Sequence, residues 1–363
     1  MAGVEVGRGG AAVGGVGRPA AVEPFVRGAA WPAGADASYP RADPSDIARL
    51  PIDTWGAAQL PVGVRLELTG DAAAIDLDYR TATDDFGFRG EGAGTCFTVV
   101  RADAVVDEQP AVLGAGTVRL TVAGPGDRAI VYLPEGMKPT VDAIRPVGGR
   151  IAPAPAQPRW LCYGDSIAEG WIAAGPAGAW PAVAGRVFGL DVVNLGYAGA
   201  ARGEIVSAEH LAGIAADVIS ISHGTNCWTR IPHSAGQVRE NLRSFLAIVR
   251  AGHPGVPIVV CSPVVRPDAE ATPNPLGATL ADLRAAIEDA ARAHIDAGDA
   301  LTSLVLGAPV IDPVHLADGV HPGDEGHRMI AASFGAAVRE ALDDSAPDLH
   351  GAPDPDPDPD PDE

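Results

Sequence analysis

The sequence predicts an α/β protein in two parts. An antiparallel β-sandwich comes first, and a flavodoxin-like three-layer α/β/α domain with a parallel sheet follows it. Three observations carry this. Between residues 25 and 149 short segments alternate apolar and polar residues with period two, separated by turn clusters such as Gly124-Pro125-Gly126-Asp127. A Pro/Ala run, Arg150 to Pro158, then interrupts the pattern. Beyond it, fully apolar strand candidates alternate with helical stretches, the signature of a parallel sheet covered on both faces.

Taken in order, residues 1–24 are mostly Gly, Ala and Val and are expected to be a disordered leader. The sandwich is expected over 25–149, with strands near Val62–Leu68, Ala74–Tyr79, Thr95–Val100, Thr117–Val122, Ala129–Leu133 and Val141–Val147. Residues 150–158 read as a linker. The α/β domain is expected over 159–345, with strands Trp160–Tyr163, Asp191–Leu195, Val218–Ser222, Pro257–Ser262 and Leu301–Leu306. Its clearest helices are Gln237–Arg250, where Val238, Leu242, Phe245, Leu246 and Val249 share a face, then Leu280–Ala297 and a last helix from about Glu325 to Leu342. The tail, 346–363, ends in a Pro-Asp repeat that has nothing to bury and is expected to be disordered.

Composition narrows the function. The 363 residues exceed one ordinary core, and 47% hydrophobic with 20% charged residues fits a globular chain. A formal net charge of −21 argues against nucleic acid and anionic membrane surfaces as partners. The four cysteines, Cys96, Cys162, Cys227 and Cys261, show no CxxC spacing, so no metal is expected. No signal peptide is recognised, and the expected location is cytoplasmic.

Three loops are expected at the carboxyl edge of the parallel sheet: Gly164-Asp165-Ser166, Asn194 to Gly199, and Gly224-Thr225-Asn226. With strand order 2-1-3-4-5 they converge at the switch point, where ligands bind. Read alone, Ser166 is better explained as a helix N-cap. A fourth segment changes that weighting. Asp318-Gly319-Val320-His321-Pro322 spaces a carboxylate and an imidazole so that Asp318 holds one ring nitrogen and the other faces Ser166. The N–H of Ser166, the N–H of Gly199 and the side-chain amide of Asn226 are the oxyanion-hole candidates. His223, Trp228 and Trp171 are the substrate-contact candidates, with ordinary packing as the competing explanation.

Residues 160–342 resemble the SGNH hydrolases, or GDSL esterases and lipases, whose four blocks centre on Ser, Gly, Asn and His in that order. The blocks correspond to Ser166, Gly199, Asn226 and His321. The whole chain resembles two-domain members with a jelly-roll-like module ahead of the hydrolase, among them carbohydrate acetyl esterases and actinobacterial acyltransferases. Two departures stand out. Cys227 replaces the Asp common after the Asn, and Ala168 replaces the Thr common two positions after the serine. The resemblance implies a serine esterase that needs no cofactor. It would act on small, acetyl-type esters of a carbohydrate or other small molecule through an acyl-enzyme. Acyl transfer to a sugar or natural product is the alternative. A non-catalytic carbohydrate-binding protein is the second alternative, and retention of Ser166, Asp318 and His321 together argues against it.

Overall fold

The computed structural model describes residues 17–34, 38–83 and 94–345. Nine strands precede the parallel sheet: β1 (Val26–Arg27), β2 (Arg65–Gly70), β3 (Ala74–Thr81), β4 (Cys96–Arg101), β5 (Ala104–Pro110), β6 (Gly114–Thr121), β7 (Ala129–Tyr132), β8 (Pro139–Val147) and β9 (Ile151–Pro153). They form two antiparallel sheets. One runs β1-β2-β7-β4-β5 with β9 also paired to β2, and the other runs β6-β3-β8. Successive side chains of a strand point to opposite faces. Ile75, Leu77 and Tyr79 of β3 therefore point one way and meet Leu66, Leu68, Phe97, Val99 and Val131 from the other sheet in a shared core.

Four features of this part depart from the sequence expectations. Gly17 N–H donates to the Pro146 carbonyl at 2.8 Å and Ala20 N–H to Ile144 at 2.9 Å, so residues 17–24 are not a disordered leader. Residues 1–16 lie outside the described residues, as does the tail 346–363. Within the stretch read as a linker, Ile151–Pro153 pairs with Leu68–Gly70 as β9. Strand β5 escaped the pattern because it is a mostly exposed strand at the end of its sheet, and a strand paired on one side carries a weak burial signal. Finally, a short helix, α1 (Ile52–Ala58), stands inside a region read as strands. Ala42, Leu50 and Ala58 around it pack into the core of the α/β domain, not into the core between the two antiparallel sheets.

The second part alternates strands with helices, with two helices in its first crossover. It comprises β10 (Arg159–Gly164), α2 (Ser166–Glu169), α3 (Trp180–Phe188), β11 (Asp191–Gly196), α4 (Ile205–Gly213), β12 (Val218–Ser222), α5 (Ala235–Gly252), β13 (Ile258–Cys261), α6 (Leu280–Asp296), β14 (Thr302–Val305) and α7 (Asp324–Ser345). The five strands are parallel in the order β11-β10-β12-β13-β14, which is the expected 2-1-3-4-5. Alternate residues of β10 feed opposite faces. Leu161 and Tyr163 join Leu211, Leu242, Phe245, Leu283 and Ile287 under α4, α5 and α6. Trp160 and Cys162 join Trp180, Ala184, Ile330, Phe334 and Val338 under α3 and α7. Local signals agree with this packing. Ser234 and Gln237 cap α5 reciprocally, with Ser234 N–H donating to Gln237 Oε1 at 2.8 Å and Gln237 N–H to Ser234 Oγ at 3.3 Å.

A buried ionic knot joins the two parts. Arg65 of β2 donates from Nε to Glu67 at 2.7 Å and from Nη2 to Asp191 at 2.9 Å, and its Nη1 reaches the Val192 carbonyl at 3.0 Å. Asp191 opens β11 and also accepts Gly28 N–H at 3.1 Å. Removing one member of such a knot strands the others in a poorly solvated seam. Arg65→Ala is expected to cost about 3–5 kcal/mol, read as a lowered urea midpoint. A midpoint within about 0.5 kcal/mol of the parent would contradict this role.

Candidate active site

Strand β10 is hydrogen-bonded on both sides, with Gly164 opposite Gly196 of β11 and Ser222 of β12. All three strands thus end at one edge. Glycine is required at position 164, because a Cβ there would lie 2.5 Å from Ala168 Cβ and 2.7 Å from the Ser222 carbonyl. The close approach lets the chain turn at once. Tyr197 N–H donates to the Gly164 carbonyl at 2.8 Å, tying the second loop to the first. Asp165 then caps α2, accepting Ile167 N–H at 3.0 Å. Ser166 occupies the first position of α2 and is nearly buried.

The fourth segment follows β14. A bridge between Leu316 and Pro322 closes it, with Ala317 N–H donating to the His321 carbonyl at 2.8 Å. Asp318 Oδ1 accepts the N–H groups of Val320 at 2.9 Å and His321 at 2.7 Å. Its Oδ2 accepts from His321 Nδ1 at 2.7 Å. A carboxylate can only accept, so Nδ1 carries the proton and Nε2 is the free base. That Nε2 lies 2.8 Å from Ser166 Oγ. Burial alone raises the Asp318 carboxyl. The hydrogen bonds from the His321 ring and from two backbone N–H groups outweigh it and hold the carboxyl below its ordinary value.

Asp165 differs. Burial pushes it up to about 6 against the Ile167 N–H, the His321 charge and the Thr225 hydroxyl. Its place is under the turn, as a cap.

The other expected residues are distributed as follows. Gly199 has φ +70° and its carbonyl accepts from Arg202 Nη1 at 2.7 Å. Asn226 is buried and gives one amide N–H to the Ala200 carbonyl, and its nitrogen carries a second. The Trp171 ring stacks on His321 with centroids 5.1 Å apart and planes tilted by 31°. Trp171 is followed by Ile172 at φ +66°, a conformation that costs a β-branched residue energy. Trp228 is half-buried, donates to the Thr272 carbonyl at 2.8 Å and lies under the Arg266 guanidinium at 4.9 Å. His223 does not line an open surface. It is 2% exposed, with its ring 5.8 Å from Tyr163 and 6.1 Å from Phe245. Cys227 is buried, and desolvation raises its thiol, so it is a poor nucleophile. Among the described residues no cluster of three His, Cys, Asp or Glu is placed to hold a metal ion. No described helix is long and apolar enough to cross a membrane. A cleft of about 640 Å³ between the two parts, lined by Val100, Val105, Val183 and Phe188 among others, contains none of the residues named for the site.

Residues 162–329 match the GDSL-like lipase/acylhydrolase family, a span that holds Ser166, Gly199, Asn226, Asp318 and His321. That match spans a little under half of the chain. By class the chain is a serine hydrolase of ester bonds, with esterase or acyltransferase activity. Among solved structures the chain is similar to the salicylyl-acyltransferase SsfX3 of a tetracycline biosynthetic pathway. That match has 26% identity over 88% of this chain and 94% of that one, with a TM-score of 0.74. A family two carbohydrate esterase from Clostridium thermocellum shares the fold at 14% identity over 77% and 92%, with a TM-score of 0.56. An acetyl xylan esterase from the rumen bacterium Butyrivibrio proteoclasticus does so at 13% over 92% and 99%, with a TM-score of 0.58. A comparison with curated protein sequences gave no match.

Sequence reasoning passed over Arg41, Glu169 and Asp53 around this site, and took Arg202 for a solvated loop charge rather than a substrate contact. Arg41 and Glu169 are buried as a pair 3.4 Å apart, and Arg202 pairs with Asp53 at 2.6 Å. The partners lie more than a hundred positions apart, so no local pattern announces them.

The buried His223 gives a pH prediction. Burial, with a smaller push from His233, lowers its imidazole to about 4 from 6.5. A depressed folded pKa gives stability that is full above about 6.5 and lost as pH falls towards 4, about 3 kcal/mol in all. His223→Phe is expected to remove that part of the acid sensitivity. Denaturant midpoints at pH 7 and pH 4.5 test it, and equal drops in parent and variant would contradict it.

Proposed function

We propose that Ser166 is the nucleophile, His321 the general base and acid, and Asp318 the residue that orients the imidazole. The observation that carries this reading is the unbroken hydrogen-bond chain from Ser166 Oγ to His321 at 2.8 Å and from His321 to Asp318 at 2.7 Å. In the first step His321 Nε2 takes the Ser166 proton as the oxygen attacks an ester carbonyl. The N–H groups of Ser166 and Gly199 and the Asn226 amide hold the oxyanion. The imidazolium then protonates the leaving alcohol, and an acyl-enzyme remains. Water activated by His321 attacks it, the acid leaves and Ser166 regains its proton.

The proposed substrate is a small, acetyl-type ester of a carbohydrate or other small molecule. Fold likeness to the carbohydrate esterases supports the class by analogy. Trp171 against His321 offers an aromatic wall beside the reacting atoms. A second reading, acyl transfer to an alcohol acceptor, is favoured by one observation: the likeness to the salicylyl-acyltransferase runs through both parts of the chain. The two differ only in whether water or an acceptor resolves the acyl-enzyme. We also read the N-terminal part as a jelly-roll-like β-sandwich module, since its two antiparallel sheets share one core.

Turnover of p-nitrophenyl acetate, butyrate and octanoate tests the proposal. Ser166→Ala is expected to lower kcat by at least about a thousandfold. Asn226→Ala is expected to lower it about a hundredfold or more. Turnover that survives in Ser166→Ala would overturn the assignment. An added alcohol that diverts product from acid to ester would favour transfer over hydrolysis.

A further inference from the structure

The loop after β11 is held in a costly shape. Gly199 has φ +70°, and Ala201, fully buried and bearing a side chain, has φ +56°. A left-handed alanine costs on the order of 1 kcal/mol and persists only where its surroundings dictate it. Two braces supply that constraint, and both are rooted in the segment between residues 39 and 60.

The first brace is Arg41. It is 2% exposed and donates from Nε to the Leu60 carbonyl at 2.7 Å and from Nη2 to the Ala57 carbonyl at 2.5 Å. Its Nη1 donates to the Gly196 carbonyl, and Tyr197 OH donates back to the Arg41 carbonyl at 2.5 Å. Beside it lies Glu169, three residues after Ser166, whose Oε2 accepts the Ala198 N–H at 2.8 Å.

The second brace is Asp53 of α1. It accepts from Arg202 Nη2 at 2.6 Å, and Arg202 Nη1 donates to the Gly199 carbonyl at 2.7 Å. The Ala198 N–H belongs to the peptide plane between residues 197 and 198. The Gly199 carbonyl belongs to the plane between 199 and 200. Both are pinned, and the plane between them carries the Gly199 N–H.

We infer that Arg41–Glu169 and Asp53–Arg202 are positioning pairs that aim the Gly199 N–H at the oxyanion of the Ser166 reaction. The inference rests on the reading of Gly199 as an oxyanion donor. It makes the N-terminal part a component of the turnover machinery, acting through backbone placement and without touching substrate. A donor misaimed by a fraction of an ångström loses transition-state stabilisation but leaves substrate binding alone.

Asp53→Asn in the full chain is the test. Asp53 has 36% side-chain exposure, so the fold tolerates the change. The expected result is a kcat lowered about tenfold with KM and Tm unchanged. Affinity for phenylboronic acid, whose serine adduct mimics the tetrahedral oxyanion, is expected to fall by the same factor. Arg202→Lys, which cannot fork between Asp53 and Gly199, is expected to match it, and the double variant to lose no more than the worse single. Asp46→Asn, which breaks a neighbouring surface pair with Arg49, is the control and should leave kcat unchanged. A kcat within twofold of the parent in Asp53→Asn, or a fall that tracks Tm while boronate affinity holds, would overturn the inference. If Ser166→Ala retains turnover, the functional reading itself fails, a result distinct from failure of the braces.

Discussion

The site depends on one constraint: the absence of a side chain at Gly164. Strand β10 is an inner strand of the parallel sheet, and its last residue has the Ser222 carbonyl on one side and Ala168 above it. A Cβ would push these apart. Without one, the chain passes directly from strand to Asp165 cap to Ser166. The serine hydroxyl is then presented at the rim, close enough for His321 to reach it from the far end of the chain. Gly196, facing Gly164 across the sheet, is under the same pressure, since a Cβ there would lie 2.4 Å from the Glu169 nitrogen.

From that point the arrangement propagates by hydrogen bonds. The Gly164 carbonyl receives the second loop through Tyr197, and the third loop starts beside it because Ser222 pairs with Gly164. The N-terminal part reaches the same place from outside. Its Arg65 knots β2 to the first residue of β11, and Arg41 and Asp53 grip the loop at the other end of that strand. One strand of the α/β domain is thus held at both ends by residues from the other part of the chain. A binding appendage on a loose tether would make no such contacts.

Much of this was legible in the sequence, and the reasons are physical. The five parallel strands are apolar on both faces because helices cover both, so their runs stand out. The strand order is the one a flavodoxin-like doubly wound sheet has. Asp318 and His321 were readable because their contact is local. What escaped had no local signature. Strand β5 shows a weak burial signal because it is paired on one side. The leader and linker were misjudged because Gly/Ala and Pro/Ala composition hides backbone pairing, as Ala20 with Ile144 and Ile151 with Gly70 show. His223 follows a strand as a pocket residue would, and only the packing of Tyr163 and Phe245 on its ring shows that it is buried. The ion pairs Arg41–Glu169 and Asp53–Arg202 join distant residues that each look, in isolation, like solvated charge.

The most direct measurement is the mass of the protein after brief exposure to a fluorophosphonate ester, with the adduct located by peptide sequencing. The account predicts one phosphonyl group, on Ser166, formed far more slowly in a His321→Ala variant. An adduct on another residue, or none in protein that still turns over esters, would contradict it.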